Sequence, residues 1–328
     1  MLKVGLIGAG HLGKIHLKLL KTIPEIDFIG FYDADNEAAT TISEKFEVPF
    51  FDNAEELIQS CDAIDIVTPT PFHHQYAMAC IDNGKHFFIE KPIAQNDHEA
   101  NEICQEAAKK QLIGQIGHVE RFNPAFLTVK DQITQPLFIE THRLAQFNPR
   151  GTDVSVVLDL MIHDLDLILT AVKDEVVDIQ ASGVALISKE ADIVNARLKF
   201  KKGCVANITA SRLSVKNMRK MRIFQSSAYL SLDFLKRSSE IVRLTDEPIG
   251  ESPSFEIKNA QEEVIKYISF DIPKPPDVNA IEMELTAFKN SILHKKPIQV
   301  SLNEGKDALE LALKISKVLS NSHVQAIG

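Results

Sequence analysis

The stretch VGLIGAGHLGKIH near the start of the chain limits its fold more than any other. Val4, Leu6 and Ile7 read as a short buried strand, and Leu12, Ile15, His16, Leu19 and Leu20 recur at helical spacing around and after Gly8, Gly10 and Gly13. Bare GxGxxG patterns are common, so context decides, and strand, tight turn and helix is the context that gives one meaning. The first glycine then makes the turn, the second lets a pyrophosphate approach the backbone, and the third lets helix and strand pack closely. Free N–H groups at the helix N-terminus, from His11 and Leu12 onward, face the phosphates. A second strand, DFIGFYD, ends at Asp33, about 20 residues past Gly13, where an acidic residue takes the ribose hydroxyls. The opening stretch is expected to bind a dinucleotide.

Asp33 also bears on which dinucleotide. Its carboxylate would repel a 2′-phosphate by roughly 4 kcal/mol per charge pair at 4 Å in a surface-like dielectric. Ala34, Asp35 and Asn36 supply no arginine to offset that. NAD is expected over NADP.

Strands and helices alternate to about residue 118: a helix near EAATTISEKF, the strand AIDIVT, a helix from Phe72 to Asn83, the strand HFFIE, a helix through HEANEICQEAAKK and the strand LIGQIG. This predicts a doubly wound parallel sheet. Beyond it, residues 119–135 read as helical, 136–143 as a strand, and VSVVLDLMIHDLDLILTAV as one apolar helix. Short alternating strands fill about 175–270, as in IVNARLKF and CVANITASRL, and two helices close the chain. The expected architecture is an α/β Rossmann domain over 1–118 and an α+β domain with an open, mainly antiparallel sheet over 119–328. In IVNARLKF one face, Val194, Ala196, Leu198 and Phe200, should lie on helices. The opposite face is mixed rather than wholly polar, which suits a partner and predicts a homodimer or homotetramer joined through the open sheet.

With 328 residues, 45% hydrophobic and 25% charged, the chain has room for two ordinary cores. A net charge of −9 argues against nucleic-acid binding, and KFKKG and RKMR read as solvated turn or strand positions. No apolar run has the length of a membrane helix and no signal peptide is evident, so a cytoplasmic location is expected. Cys61, Cys80, Cys104 and Cys204 form no CxxC pair and read as small core residues.

Ligands bind beyond the carboxyl ends of parallel strands, so TPTPFHH after AIDIVT and KP after HFFIE draw attention. Lys91 could hydrogen-bond the oxygen of a reacting alcohol, or it could be a surface lysine before a proline-led turn. At 100° per residue Asp159, His163 and Asp166 fall within about 60° of one another on the apolar helix, and Asp164 points elsewhere. His163 reads either as a core histidine tied to a carboxylate or as a base that takes the alcohol proton, with Asp159 orienting it. A metal site finds no support: there is no HExxH, and His73 and His74 are adjacent.

GLIGAGHLGKIH, VTPTPFHH, the triplet EKP and the D-x-x-x-H-D spacing of DLMIHDLD, in this order, resemble the glucose–fructose oxidoreductase, inositol dehydrogenase and rhizopine-catabolism (Gfo/Idh/MocA) family across essentially the whole chain. The resemblance implies that Lys91, Asp159 and His163 act with NAD(P) on a sugar or polyol hydroxyl. It also places Thr68, Pro69, Thr70, His73 and Glu90 around the cofactor. GHVERFNPAF with RGTDVSVVLDLMIHDLDLIL is further similar to the branch that oxidises the 3-hydroxyl of UDP-N-acetylglucosamine or its uronic acid. A diphosphate needs cations, and Arg121, Arg143 and Arg150 supply them, unless they make interdomain salt bridges. The expectation is an NAD-dependent sugar dehydrogenase, with Lys91, Arg121, Arg150, Asp159 and His163 at the substrate. A free monosaccharide or inositol-type polyol dehydrogenase, and a non-catalytic NAD-binding sensor, stand as alternatives.

Overall fold

The computed structural model describes residues 1–148, 154–188, 190–248, 254–321 and 325–326. Contacts divide the chain into two units, Met1–Val119 with Asn279–Glu310, and Glu120–Val278 with Leu311–Gly328.

In the first unit β1 (Leu2–Ile7), β2 (Ile26–Tyr32), β3 (Ala63–Ile66), β4 (His86–Glu90) and β5 (Gly114–Gly117) form a parallel sheet in the order β2-β1-β3-β4-β5. β3 and β5 are buried at every position, as expected of strands covered on both faces. The connecting helices are α1 (His11–Leu20), α2 (Asn36–Phe46), α3 (Ala54–Ser60), α4 (His73–Asp82) and α5 (Asp97–Lys109). Strand order reverses between β1 and β3, which makes their carboxyl ends the binding crevice. α3 escapes a sequence reading because two buried residues, Leu57 and Ile58, are too few to show a period.

A split at 118/119 does not describe the packing of α8 (Ala280–Leu293) and the start of α9 (Leu302–Asn321). Phe288 of α8 meets Phe88 of β4 with ring centroids 6.0 Å apart, and Gln115 donates to the Glu284 carbonyl at 3.0 Å. Leu302 lies over Gly114, where an added Cβ would come within 2.7 Å of its side chain. Periodicity shows that α8 has an apolar face but not which sheet that face covers.

The second unit contains α6 (Pro124–Val129), β6 (Pro136–Leu144), α7 (Ile162–Val172), β7 (Val176–Ala185), β8 (Ile193–Phe200), β9 (Val205–Ser211) and β10 (Met218–Gln225). β11 (Ala228–Asp233), β12 (Ser238–Thr245), β13 (Ser254–Lys258), β14 (Val264–Asp271) and β15 (Gln325–Ala326) complete it. Among the described residues the strands form one sheet in the order β13-β14-β12-β11-β10-β6-β9-β8-β7-β15, antiparallel except at β6–β9 and β15–β7. Val194, Ala196, Leu198 and Phe200 are fully buried on its inner face, and Asn195, Arg197 and Lys199 are exposed on the other.

The apolar helix is not uniform. A π-helical turn over Val157–Met161 precedes α7, so Asp159 lies in the π turn and His163 in the α-helix. A constant 100° step therefore does not carry from one to the other; π turns of this kind are frequent at functional sites. No described helix is long and apolar enough to cross a membrane.

Candidate functional site

The three glycines have separate physical reasons. Gly8 has φ +93°, and a Cβ there would lie 2.7 Å from the Val67 carbonyl oxygen. At Gly13 a Cβ would lie 2.0 Å from the Gly8 carbonyl oxygen, so only glycine lets α1 close on the turn. Gly10 is exposed, and a Cβ there would meet nothing within 4 Å, leaving the backbone open to a ligand. Gly10 also caps α1 without a side-chain hydrogen bond, so its first-turn N–H groups have no capping side chain.

Asp33 is part of the same turn. Its Oδ2 accepts from the Ala9 N–H at 2.6 Å and its Oδ1 from the Asp35 N–H at 3.0 Å. A carboxylate oxygen has two lone pairs, so each still has one for a ribose hydroxyl. Beside it a pocket of about 390 Å³ is lined by Tyr32, Asp33, Thr68, Pro69, Phe72 and Tyr76. Tyr32 and Tyr76 meet edge-on at 6.4 Å, and burial pushes the Tyr76 hydroxyl up to about 12, keeping it protonated. The buried Thr68 Oγ1 has no hydrogen-bond partner among the described residues. Aromatic walls, an acid for the ribose, an orphaned hydroxyl and an open glycine turn fit a dinucleotide.

Glu90 ends β4 and Lys91 follows it directly, half-buried before a cis bond to Pro92. Buried His73 has one ring nitrogen 2.8 Å from the Pro92 carbonyl oxygen and the other 2.8 Å from that of Thr68. It thereby ties the loop after β3 to the turn after Lys91. His74 points away, 2.8 Å from Glu102. Thr70 starts the short 3₁₀ turn that leads into α4.

In the second unit Asp159 and His163 are partly exposed, and the carboxylates that follow are buried against arginines. Arg121 donates through Nε and Nη2 to both oxygens of Asp166 at 2.8 and 2.6 Å. Arg143 binds both oxygens of Asp164 and also Glu120. Burial pushes the Asp164 carboxyl above its usual range, with Arg143 pulling it back. Asp166, grouped with Asp159 and His163 by angle, serves here as the anchor of Arg121. Arg150 lies outside the described residues. Among the described residues no three His, Cys, Asp or Glu converge as metal ligands, and Cys61, Cys80, Cys104 and Cys204 are free thiols.

A doubly wound sheet with this glycine turn, followed by a large mainly antiparallel sheet, defines an NAD-binding oxidoreductase of two units. Residues 2–118 match the family described as an oxidoreductase family with an NAD-binding Rossmann fold, and residues 106–231 match the GFO/IDH/MocA C-terminal domain. UDP-N-acetylglucosamine 3-dehydrogenase of Acidithiobacillus ferrooxidans is 33% identical, with 96% of each chain covered. A crystal form of that enzyme superimposes with a TM-score of 0.88 over 98% of both chains, at 30% identity. Myo-inositol 2-dehydrogenase of Thermotoga maritima is 26% identical over 97% of this chain and 96% of its own. Scyllo-inositol dehydrogenase of Lactobacillus casei, solved with NAD(H) and scyllo-inositol, shares the fold at a TM-score of 0.77 and 21% identity, covering 98% and 97% of the two chains. The protein belongs to the Gfo/Idh/MocA family of oxidoreductases.

Proposed function

We propose that the protein is an NAD-dependent dehydrogenase that oxidises the 3-hydroxyl of a UDP-N-acetylhexosamine, or of its uronic acid, to a ketone. The observation that carries this reading is the end-to-end likeness to the Acidithiobacillus enzyme. His163 acts as the base that takes the hydroxyl proton, and Asp159 orients its ring. Lys91 donates to the substrate oxygen, which stabilises the negative charge that develops there. NAD, held by Gly8, Gly10, His11, Leu12, Gly13, Asp33, Thr68, Pro69 and Thr70, supplies the hydride acceptor when bound, while His73 shapes the Thr68 loop beside it and Glu90 lies beneath Lys91. Asp33 selects it over NADP by repelling a 2′-phosphate. Arg121, its fork fixed by Asp166, and Arg150 serve as cations for the diphosphate. Arg143 is committed to Asp164 and Glu120 and is assigned to holding α7 instead.

A second reading, a cyclic polyol or free-sugar dehydrogenase, is favoured by the full-length similarity to the Thermotoga inositol enzyme. Following NADH absorbance with UDP-N-acetylglucosamine, its uronic acid, glucose and myo-inositol separates the two. Turnover of the UDP-sugars is expected; turnover of free sugars or inositol alone would reject the proposal. His163→Ala should lower kcat by about 10² to 10⁴ and leave NAD affinity unchanged. A fully active variant would return His163 to a structural role.

We further propose that two copies associate through the open face of the large sheet. Phe138, Phe224, Tyr229, Val242 and Phe270 pair in register across five strands, β6, β10, β11, β12 and β14, and so share one face. Phe224 is 38% and Phe270 53% exposed, a contiguous apolar ribbon of the kind that marks an interface. The mixed face of β8 and β9 is the more polar part: Asn195 bonds Thr209, and Arg197 bonds Asn207.

A further inference from the structure

The inward face of α1 is apolar except for one fully buried histidine. His16 Nδ1 lies 2.9 Å from Asp65 Oδ2, and its Nε2 lies 3.3 Å from Glu90 Oε1. Asp65 is 1% exposed in the middle of the sheet, paired in register with Leu6 of β1 and Phe88 of β4. The Phe88 ring also lies 6.0 Å from the imidazole. Glu90 ends β4, and its second oxygen, Oε2, accepts the backbone N–H of Lys91 at 3.2 Å. The Glu90 carboxylate is folded over Gly117, its register partner on β5, where a Cβ would come within 2.9 Å of Cδ and both oxygens.

Two carboxylates reach one buried ring. Nδ1 makes the hydrogen bond to Asp65, and Nε2 meets Glu90 at 3.3 Å without hydrogen-bond geometry, so what Glu90 answers is the charge of an imidazolium rather than a second donor. Burial works against the charged ring, but Asp65 and Glu90 outweigh it and hold His16 well above its usual pKa. The ionisable groups that face His16 are Asp65 from β3 and Glu90 from β4. An apolar cluster of the same volume would pack this sheet at no greater cost. What the charges add is direction, because Glu90 is gripped at one oxygen by His16 and at the other by the amide from which Lys91 projects.

We propose that His16 and Asp65 are positioning residues for Lys91: a buried imidazolium, oriented by Asp65, fixes the Glu90 carboxylate across Gly117, and Glu90 fixes the backbone of Lys91. The inference rests on Lys91 being the group that donates to the substrate oxygen. A lysine ammonium on a displaced backbone would miss that oxygen, and misplacement by about 1 Å costs up to about 10²-fold in turnover.

The test uses the full chain and two variants, with NAD affinity by calorimetry as the check on folding. His16→Gln should bind NAD as the parent does and lose about 10²-fold in kcat. Asp65→Asn keeps an acceptor for Nδ1 but removes one of the two charges that hold the proton on His16. Its turnover should match the parent at low pH and fall as pH rises through the lowered His16 pKa, turning a rising pH profile into a bell. Nitrogen NMR of the ¹⁵N-histidine-labelled parent should show both His16 nitrogens protonated from pH 6 to 8. A neutral His16 at pH 7, or an Asp65→Asn profile that superimposes on the parent's, overturns the proposal. If His16→Gln fails to fold, the Asp65→Asn profile and the NMR decide. Full turnover by Lys91→Met would reject the role of Lys91 itself while the charge state of the cluster still read as stated; an inactive Lys91→Met beside a fully active His16→Gln would reject the positioning role alone.

Discussion

Replacing Arg143 with methionine takes a buried cation from between two buried carboxylates. Nε and Nη2 reach Asp164 at 3.0 and 2.9 Å, Nη1 reaches Glu120 at 2.9 Å, and the side chains of Arg143, Asp164 and Glu120 are 3%, 2% and 5% exposed. Methionine keeps most of the volume, so the loss is chiefly electrostatic. Breaking a buried pair from one side costs about 3–5 kcal/mol. The half-exposed Arg219, 3.6 Å from Glu120, offsets part of that for Glu120. With a urea slope of about 3 kcal/mol per M, the unfolding midpoint of the second unit should fall by about 1–1.7 M. The deficit also has a pH signature. Burial already holds Asp164 above the ordinary range, and without Arg143 its folded-state pKa rises further above the unfolded value of about 3.9. Such a group destabilises fully above its folded pKa and progressively less as pH falls toward the unfolded one. Urea titrations at pH 8 and pH 5 should therefore show the gap between parent and variant narrowing at the lower pH. A gap that does not change with pH, or a loss below about 1 kcal/mol, would refute the assignment of Arg143 as a buried clamp.

Calorimetry should find NAD bound at least about tenfold tighter than NADP, since even a third of the estimated repulsion at Asp33 is worth about 1.4 kcal/mol; equal affinities would remove that role. Gly10→Ala and Gly13→Ala should separate two kinds of glycine. The first should melt like the parent and lose NAD affinity, because its Cβ meets no protein atom; the second should lose at least about 1–3 kcal/mol of stability, because its Cβ lies 2.0 Å from the Gly8 oxygen. A Gly13→Ala variant with unchanged melting would contradict that packing. Light scattering at micromolar concentration should give a dimer or tetramer, and Phe224→Glu should shift it toward monomer; a monomeric parent would rule out the sheet interface.

What the sequence determined by itself was local and periodic. The Gly8-Gly10-Gly13 turn between strand and helix, and the placing of Asp33, Lys91 and His163 along their elements, follow from spacing because a turn or a helix start needs only neighbouring residues. The buried and exposed faces of β8 follow from alternation for the same reason. Where periodicity met two solutions, only tertiary structure chose. α8 looked like any amphipathic helix, yet its face covers β4 and β5 through Phe288 and the Gln115–Glu284 bond, a choice made by a sheet nearly 170 residues away in sequence. Over Val157–Met161 the apolar pattern suited an α-helix, and the backbone took a π turn that alters the angle between Asp159 and His163. Arg143 reads equally as a phosphate ligand and as an ion pair, because charge type does not reveal its partner; Asp164 and Glu120 do, and Asp166 likewise fixes the fork of Arg121. His16 and Asp65 were legible only as members of a helix and a strand, 49 residues apart. Their meeting depends on how α1 lies across β3 and β4, and long-range packing of that kind leaves no period in a sequence.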